Sequence, residues 1–361
     1  MTCEIVFLPV GNADCIIVHA EDALVVVDLG KNSRFIYKWL EQRQFKKINR
    51  IYVTHNHKDH FPFKSIIDLV KFLKLWFSNN GEIEIFSLPY GFYDHANEQL
   101  NIQRGHDPNY KELEQALINV FEWDRSRKVR FVEALSDPTP YPIHNLQIYT
   151  IHPRSPFIAQ QKSKNKINEI SLVLRIVYGE FIAIFLADLE GAGLADYLSV
   201  VKASAEATKE AKANIVKIPH HGGYPSNGDD LKELLALIDA ELAVLSVGST
   251  NRYGHVEPEL FKALIELKGN KDNRLDGFIC TEVTRTCVHS ASDRSAMGKS
   301  GLSLSEASKC AGEITIIAET SGKWKLKTET NHSSQVASFP YAACDGRANE
   351  PCTALKEIEC Y

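Results

Sequence analysis

The chain opens with three apolar runs, at 3–10, 15–18 and 23–30, split by the polar stretches 11–14 and 19–22. Runs this short, rich in Val and Ile and bounded by Gly, Asn and Asp, predict strands, here a meander that starts a sheet. Apolar residues then recur three and four apart. Phe35, Ile36, Trp39 and Leu40 predict a helix over 35–45; Ile66, Ile67, Leu69, Val70, Phe72 and Leu73 predict a second over 63–77. A β-branched strand at 50–54 lies between them, and another at 83–89 follows. Residues 90–130 depart from the scheme, with loop-like sequence carrying His95, Arg104 and His106, then an amphipathic helix over 113–123.

The second half alternates more regularly. Strands are predicted at 128–135, 146–151, 170–177, 181–186, 213–218, 242–247 and 276–281, and helices over 193–212, 231–238 and 257–267. A terminal hairpin is predicted at 313–317 and 323–326, while 156–168 and 287–308 read as loops. This alternation predicts an α/β protein with two sheets flanked by helices. The domain reading is one unit over 1–320, with an insertion at about 90–130, followed by a cysteine-bearing extension over 321–361.

Composition narrows the class without changing the fold. The 361 residues are 44% apolar and 24% charged, ordinary values for a soluble globular protein. A formal charge of −5 excludes a dominating basic surface, so any nucleic-acid contact would need a local patch. No apolar run reaches membrane-spanning length, and the N-terminus lacks a basic segment before an apolar core, so the expectation is a cytoplasmic protein with no membrane partner. Eight cysteines show no CxxC spacing. Cys3 and Cys15 sit in apolar strands and read as reduced core residues; the six in the last quarter leave room for a structural metal.

Four predicted strands end in polar clusters: 55–60, Asp188, 220–221 and 249–255. The first is the densest, His55-Asn56-His57-Lys58-Asp59-His60, directly after the strand at 50–54. Imidazoles two apart in an extended segment point the same way and can grip one cation, while the Asp-His pair beyond, where the chain must turn, can face a second. If the strands share one sheet system, their ends converge on one site. Asp28, closing the third strand, is either a turn cap or a carboxylate that orients a ligand histidine.

The HxHxDH cluster resembles that of the metallo-β-lactamase-fold hydrolases, and the order of elements matches that fold from residue 3 to about 320. Within that superfamily, residues 9–14 (PVGNAD), 217–223 (KIPHHGG) and 246–255 (SVGSTNRYGH) resemble the hydrolase domain of the DNA-uptake protein ComEC and its soluble relatives. The chain departs from that group at Ala13, Gly223 and Val256, where Gly, Ser and Pro are usual.

The resemblance implies an αββα four-layer sandwich of two mixed sheets flanked by helices. It also implies a binuclear metal-dependent hydrolase using a metal-bound hydroxide, most readily a phosphodiesterase or nuclease, with two divalent ions, Zn or Mn. Carried over by position, His55 and His57 hold one ion, Asp59, His60 and His221 hold the other, and Asp188 bridges. His220 then contacts substrate, although the two could exchange roles. Two readings of His152 stand, a third imidazole on the first ion or a satisfied surface histidine before Pro153. Asn168 and Ser171 match an Asn-x-x-Ser pattern of the ComEC-like group. Asp59 would orient the nucleophile, and Arg252, His255, Lys58 and Asn251 would stabilise phosphate charge. The partner expected is a phosphodiester, in a nucleic acid or a nucleotide. The alternatives are hydrolysis of a lactone, thioester or β-lactam, and a catalytically silent binding module of the same fold.

Overall fold

Strand pairing sorts the apolar runs into two sheets. The computed structural model describes residues 1–63, 66–89, 110–133, 136–160, 166–250, 253–290 and 308–339, with a few isolated positions besides. In the first half, β1 (Thr2–Phe7), β2 (Ile16–Ala20) and β3 (Ala23–Val27) form the antiparallel meander, and β4 (Lys47–Tyr52), β5 (Glu82–Leu88) and β6 (Arg130–Glu133) continue it in parallel. Parallel strands need crossovers, and α1 (Ser33–Gln42), α2 (Ile66–Ser78) and α3 (Tyr110–Arg125) lie along them. The side chain of Asn32 caps α1, accepting from the Arg34 N–H at 3.0 Å.

The second sheet repeats the plan. Its antiparallel half is β7 (Asp137–Ile143), β8 (Leu146–His152), β9 (Val173–Tyr178) and β10 (Phe181–Phe185). Its parallel half is β11 (Ile215–Lys217), β12 (Leu242–Leu245) and β13 (Gly277–Cys280). The helices are α4 (Ser155–Gln160), α5 (Gly191–Val201), α6 (Ala205–Glu210), α7 (Gly228–Ile238), α8 (Pro258–Gly269) and α9 (Arg285–Val288). β14 (Ile314–Glu319) then returns to pair with β1, and β15 (Trp324–Thr328) completes an eight-stranded sheet facing the seven-stranded one. This last hairpin spans residue 320, so strand pairing runs beyond that point. α10 (His332–Ser338) places Val336 against the core of the second sheet's helices.

Three apolar cores give the four layers. One lies between the sheets, around Phe7, Val27, Tyr52, Phe185 and Ile279. The outer two lie under the helices, around Leu40, Leu69 and Phe86 for the first sheet and Leu194, Leu231 and Leu264 for the second. Among the elements that differ from the sequence reading, α4 covers the start of the stretch 156–168 read as loop. The helix expected over 193–212 is two, because the Ser204 hydroxyl accepts from the Ala207 N–H at 3.0 Å and starts α6 anew. A strand absent from the sequence reading, β7, carries Pro138, Pro140 and Pro142. It is an edge strand, paired on one side only, where missing N–H groups cost no ladder bonds. Cys3 and Cys15 are free and buried. No cysteine joins a metal-type cluster among the described residues; Cys344, Cys352 and Cys360 lie outside them. His95, Arg104 and His106 do too.

Candidate metal centre

The parallel halves of both sheets run their C-terminal strand ends to one edge, and the polar clusters follow those ends. Backbone strain marks the turns. Asp28, Ala187, His220 and His221 all have positive φ, between 47° and 58°, although none is glycine. Residues held in this region concentrate where the surrounding structure fixes functional side chains. The loop after β12 reaches the one after β1 so closely that a Cβ on Gly248 would lie 2.3 Å from the Asn12 nitrogen. That contact requires glycine.

Two groups of potential ligands result, sharing one carboxylate. His55 Nε2 lies 3.1 Å from His57 Nδ1 and 3.7 Å from Asp188 Oδ2. On the other side, Asp188 Oδ1 lies 3.2 Å from His60 Nε2 and 3.6 Å from His221 Nε2, which are 3.3 Å apart. Asp59 Oδ2 completes this group, 3.5 Å from His221 Nε2. His55, His57, Asp59, His60, Asp188 and His221 therefore meet, and Asp188 stands between the two groups.

The outward nitrogens of three imidazoles are engaged behind the site. His60 Nδ1 donates to Asp28 Oδ2 at 2.7 Å, and His221 Nδ1 donates to the Ser246 carbonyl at 2.9 Å. The Thr54 hydroxyl donates to Asp28 at 2.8 Å and lies 3.1 Å from His55 Nδ1. Each of these leaves Nε2 facing inward, the arrangement by which outer partners orient metal-binding histidines. Asp28 is thus the orienting carboxylate.

This donor set fits divalent cations. Two imidazole nitrogens held by one tetrahedral zinc ion would sit roughly 3.3 Å apart, given Zn–N distances of about 2.0–2.1 Å. The facing pairs here are 3.1 and 3.3 Å apart. Asp188 Oδ1 is buried and, despite its proximity to His60, makes no hydrogen bond of acceptable geometry. Burial lowers the pKa of both buried histidines at 55 and 60. His55 stays well below the usual range, with His60 beside it adding to the effect. At His60 the carboxylates of Asp188 and Asp28 outweigh burial and hold it well above. Burial raises Asp188, yet His60 and His221 bring it well below the ordinary carboxylate range. The site is a set of buried charges that balance one another, a condition under which metal binding displaces protons.

The remaining predicted residues divide. His220 stands beside the cluster, its Nδ1 2.9 Å from Glu190 Oε2, and Asn168 donates to Glu190 Oε1 at 2.8 Å. His255 packs against His220, ring centroids 5.2 Å apart, and stacks on Tyr253. His152 does not join either ligand group among the described residues. Its Nδ1 donates to the Ser171 carbonyl at 3.0 Å, and its Nε2 faces Asp196 at 3.9 Å. Burial lowers its pKa to about 4. Lys58 is exposed, and Asn251 and Arg252 lie outside the described residues.

Sequence reasoning missed three partners. Asp14 and Lys217 form a fully buried ion pair behind the site, and Asp14 also lies 3.7 Å from His60 Nδ1 and 3.8 Å from His221 Nδ1. Lys217 also donates to the Ala187 carbonyl at 2.9 Å, tying the turn before Asp188 to β11. A lone lysine between Val216 and Ile218 in an apolar strand was the available signal. Glu190, two residues past Asp188, was the third.

Two mixed sheets lie face to face between helices, with a shared carboxylate and four imidazoles at one edge. The arrangement is the αββα sandwich that the metallo-β-lactamase resemblance implies. No protein-family model matches the chain. ComE operon protein 3 of Bacillus subtilis (strain 168) is 29% identical over 122 residues, consistent with the ComEC-like resemblance; the match covers 34% of this chain and 14% of that protein. Three solved structures are similar at low identity. YhfI of Bacillus subtilis, a metallo-β-lactamase fold protein, is 13% identical, covering 68% of this chain and 86% of its own, with a TM-score of 0.38. Igni18, a metallo hydrolase of Ignicoccus hospitalis, is 12% identical, covering 76% and 94%, with a TM-score of 0.40. A diphosphatase of the PhnP family is 11% identical, covering 68% and 87%, with a TM-score of 0.37. Likeness this distant says nothing of substrate. Among the described residues no helix is long and apolar enough to cross a membrane.

Proposed function

We propose that this chain is a binuclear metal-dependent hydrolase of phosphoesters, with phosphodiesters as the preferred class. The observation that carries the reading is Asp188, whose two oxygens face two separate ligand groups. A carboxylate so placed is the group a pair of cations would share. Cations there would act as Lewis acids on a phosphoryl oxygen and lower the pKa of water toward about 7.

The chain's own residues supply the rest. A cleft of about 420 Å³ opens beside His57, lined by Lys166, Asn168, Glu190, Gly191 and Ser226. Its polar lining suits a charged, hydrogen-bonding substrate better than an apolar acyl group. Glu190, fixed by Asn168, holds His220 by Nδ1 and turns its other ring nitrogen away from the carboxylate. His220 can then donate to a substrate oxygen. His57 borders both cleft and cluster, so a phosphate lying in the cleft would reach the paired ligand groups. Asp59, partly exposed at the rim, is placed to orient an entering water.

The test combines elemental analysis with turnover of bis-p-nitrophenyl phosphate in added Mn²⁺ or Zn²⁺. Two equivalents of metal and turnover that vanishes in Asp188→Ala are expected. Hydrolysis of lactones or thioesters without phosphodiester turnover would overturn the phosphoester reading, and absence of bound metal would overturn the hydrolase reading altogether.

A further inference from the structure

Arg175 is out of keeping with its surroundings. It sits in mid-strand on β9, paired in register with Tyr149 of β8 and Ile184 of β10. Its neighbours along the same face, Val173 and Val177, are apolar, and Val173 packs into the core under the helices of the second sheet. The guanidinium lies over the Tyr149 ring at 5.4 Å. Its Nε is buried without a hydrogen-bond partner, and no salt bridge neutralises the group among the described residues. A partly buried cation left without an anion is costly, so such a group marks a place where a counter-charge is missing.

The group faces a cavity of about 670 Å³ between β8 and β9 on one side and α5 and α6 on the other. That volume is within the range of small-molecule sites. The α5 and α6 side of the lining is largely apolar, built by Tyr197, Val200, Val201, Ala207 and Ala211. The second arginine at the cavity, Arg154, is already engaged by Asp196 through two hydrogen bonds, the longer at 3.2 Å. The acids on the lining, Asp137 and Glu210, are exposed, and Asp137 Oδ1 accepts from the Thr139 N–H. None of the ligand-cluster residues lines this cavity, which belongs to the outer face of the sheet.

We propose that this cavity is a second binding site, taking a small organic anion with an aromatic or otherwise apolar body. The anionic head accepts from the Arg175 guanidinium, whose fork suits a carboxylate, sulfonate or phosphate. The flat body lies along Tyr149 and the valine and alanine wall. The inference does not depend on the hydrolase reading.

Titration of the metal-loaded protein with 8-anilinonaphthalene-1-sulfonate, followed by fluorescence and calorimetry, tests it. One saturable site is expected. Arg175→Met should weaken binding at least tenfold and leave phosphodiester turnover unchanged. Ala207→Trp, which keeps the guanidinium but fills the space, should weaken binding to a similar degree. N-phenyl-1-naphthylamine, the same ring system without the sulfonate, should bind at least tenfold more weakly than the sulfonate. Asp188→Asn should bind the probe as the parent protein does. Equal affinity for the neutral probe overturns the proposal, as does undiminished binding in Ala207→Trp. Loss of binding in Asp188→Asn overturns it too, because the probe would then sit at the metal centre. Should Arg175→Met fail to fold, Ala207→Trp and the neutral probe still decide.

Discussion

Asp188 faces two ligand groups of unequal construction. The group of Asp59, His60 and His221 draws on both sheets, and its histidines are almost wholly buried. Both of those histidines are held from behind, His60 by Asp28 and His221 by the Ser246 carbonyl. The group of His55 and His57 comes from one loop, and His57 is partly exposed beside the cleft. The second sheet contributes only Asp188 to it. One pocket is therefore set by tertiary packing and closed on most sides, while the other is set by a six-residue motif and open toward the cleft. In metal sites, full ligation goes with structural retention and an open position goes with chemistry.

The comparison is sharpened most by removing what the two groups share. Asp188→Ala should lower bis-p-nitrophenyl phosphate turnover on the order of a thousandfold, since several kcal/mol of charge stabilisation go with the shared carboxylate. Next comes graded metal removal. Dialysis against increasing chelator, read by elemental analysis, should pass through a plateau near one equivalent as the open His55–His57 pocket empties first. His57→Ala should start at that plateau. Simultaneous loss of both ions would show that the pockets do not differ.

Smaller effects probe the support of the packed pocket. Lys217→Met leaves Asp14 buried without its partner and should cost about 3–5 kcal/mol in denaturant unfolding. Replacing both, with Asp14→Asn added, should cost clearly less than the single change. Asp28→Asn should weaken metal retention by about 10–100-fold in competition with a chelator, the usual effect of losing a carboxylate behind a ligand histidine. If Asp28→Asn affects only the His55–His57 pocket, the packing argument fails. Least of all, Cys3 and Cys15 should resist alkylation in the native protein. Burial pushes the Cys3 thiol up to about 12 and Cys15 higher still, and mass spectrometry after iodoacetamide treatment reads the outcome.

Much of this was legible before any tertiary contact was known, because the signals were local. β-branched runs and three-to-four spacing located most strands and helices. The HxHxDH motif needs only one extended segment to bring His55 and His57 together. Asp28 was legible as one of two options. What escaped did so for physical reasons. Proline-rich β7 is tolerated only because it lies on an edge, and edge position is a property of the sheet. The break between α5 and α6 turns on one serine cap inside an alanine-rich run whose propensity favours continuing. His152 reads either as a third ligand at a strand end or as a satisfied surface histidine before Pro153; its ring is buried and turned toward Ser171 and Asp196, which only the packed fold decides.

By itself the sequence determined the α/β class, the residue types at each strand end and the donor chemistry of the first ligand pair, because these depend on spacing within a dozen residues. Only the tertiary structure decided that Asp188 lies between two groups, that Lys217 answers Asp14 across 203 positions, and that His152 stands apart. Those are distances between strand ends, and they exist only once two sheets have packed face to face.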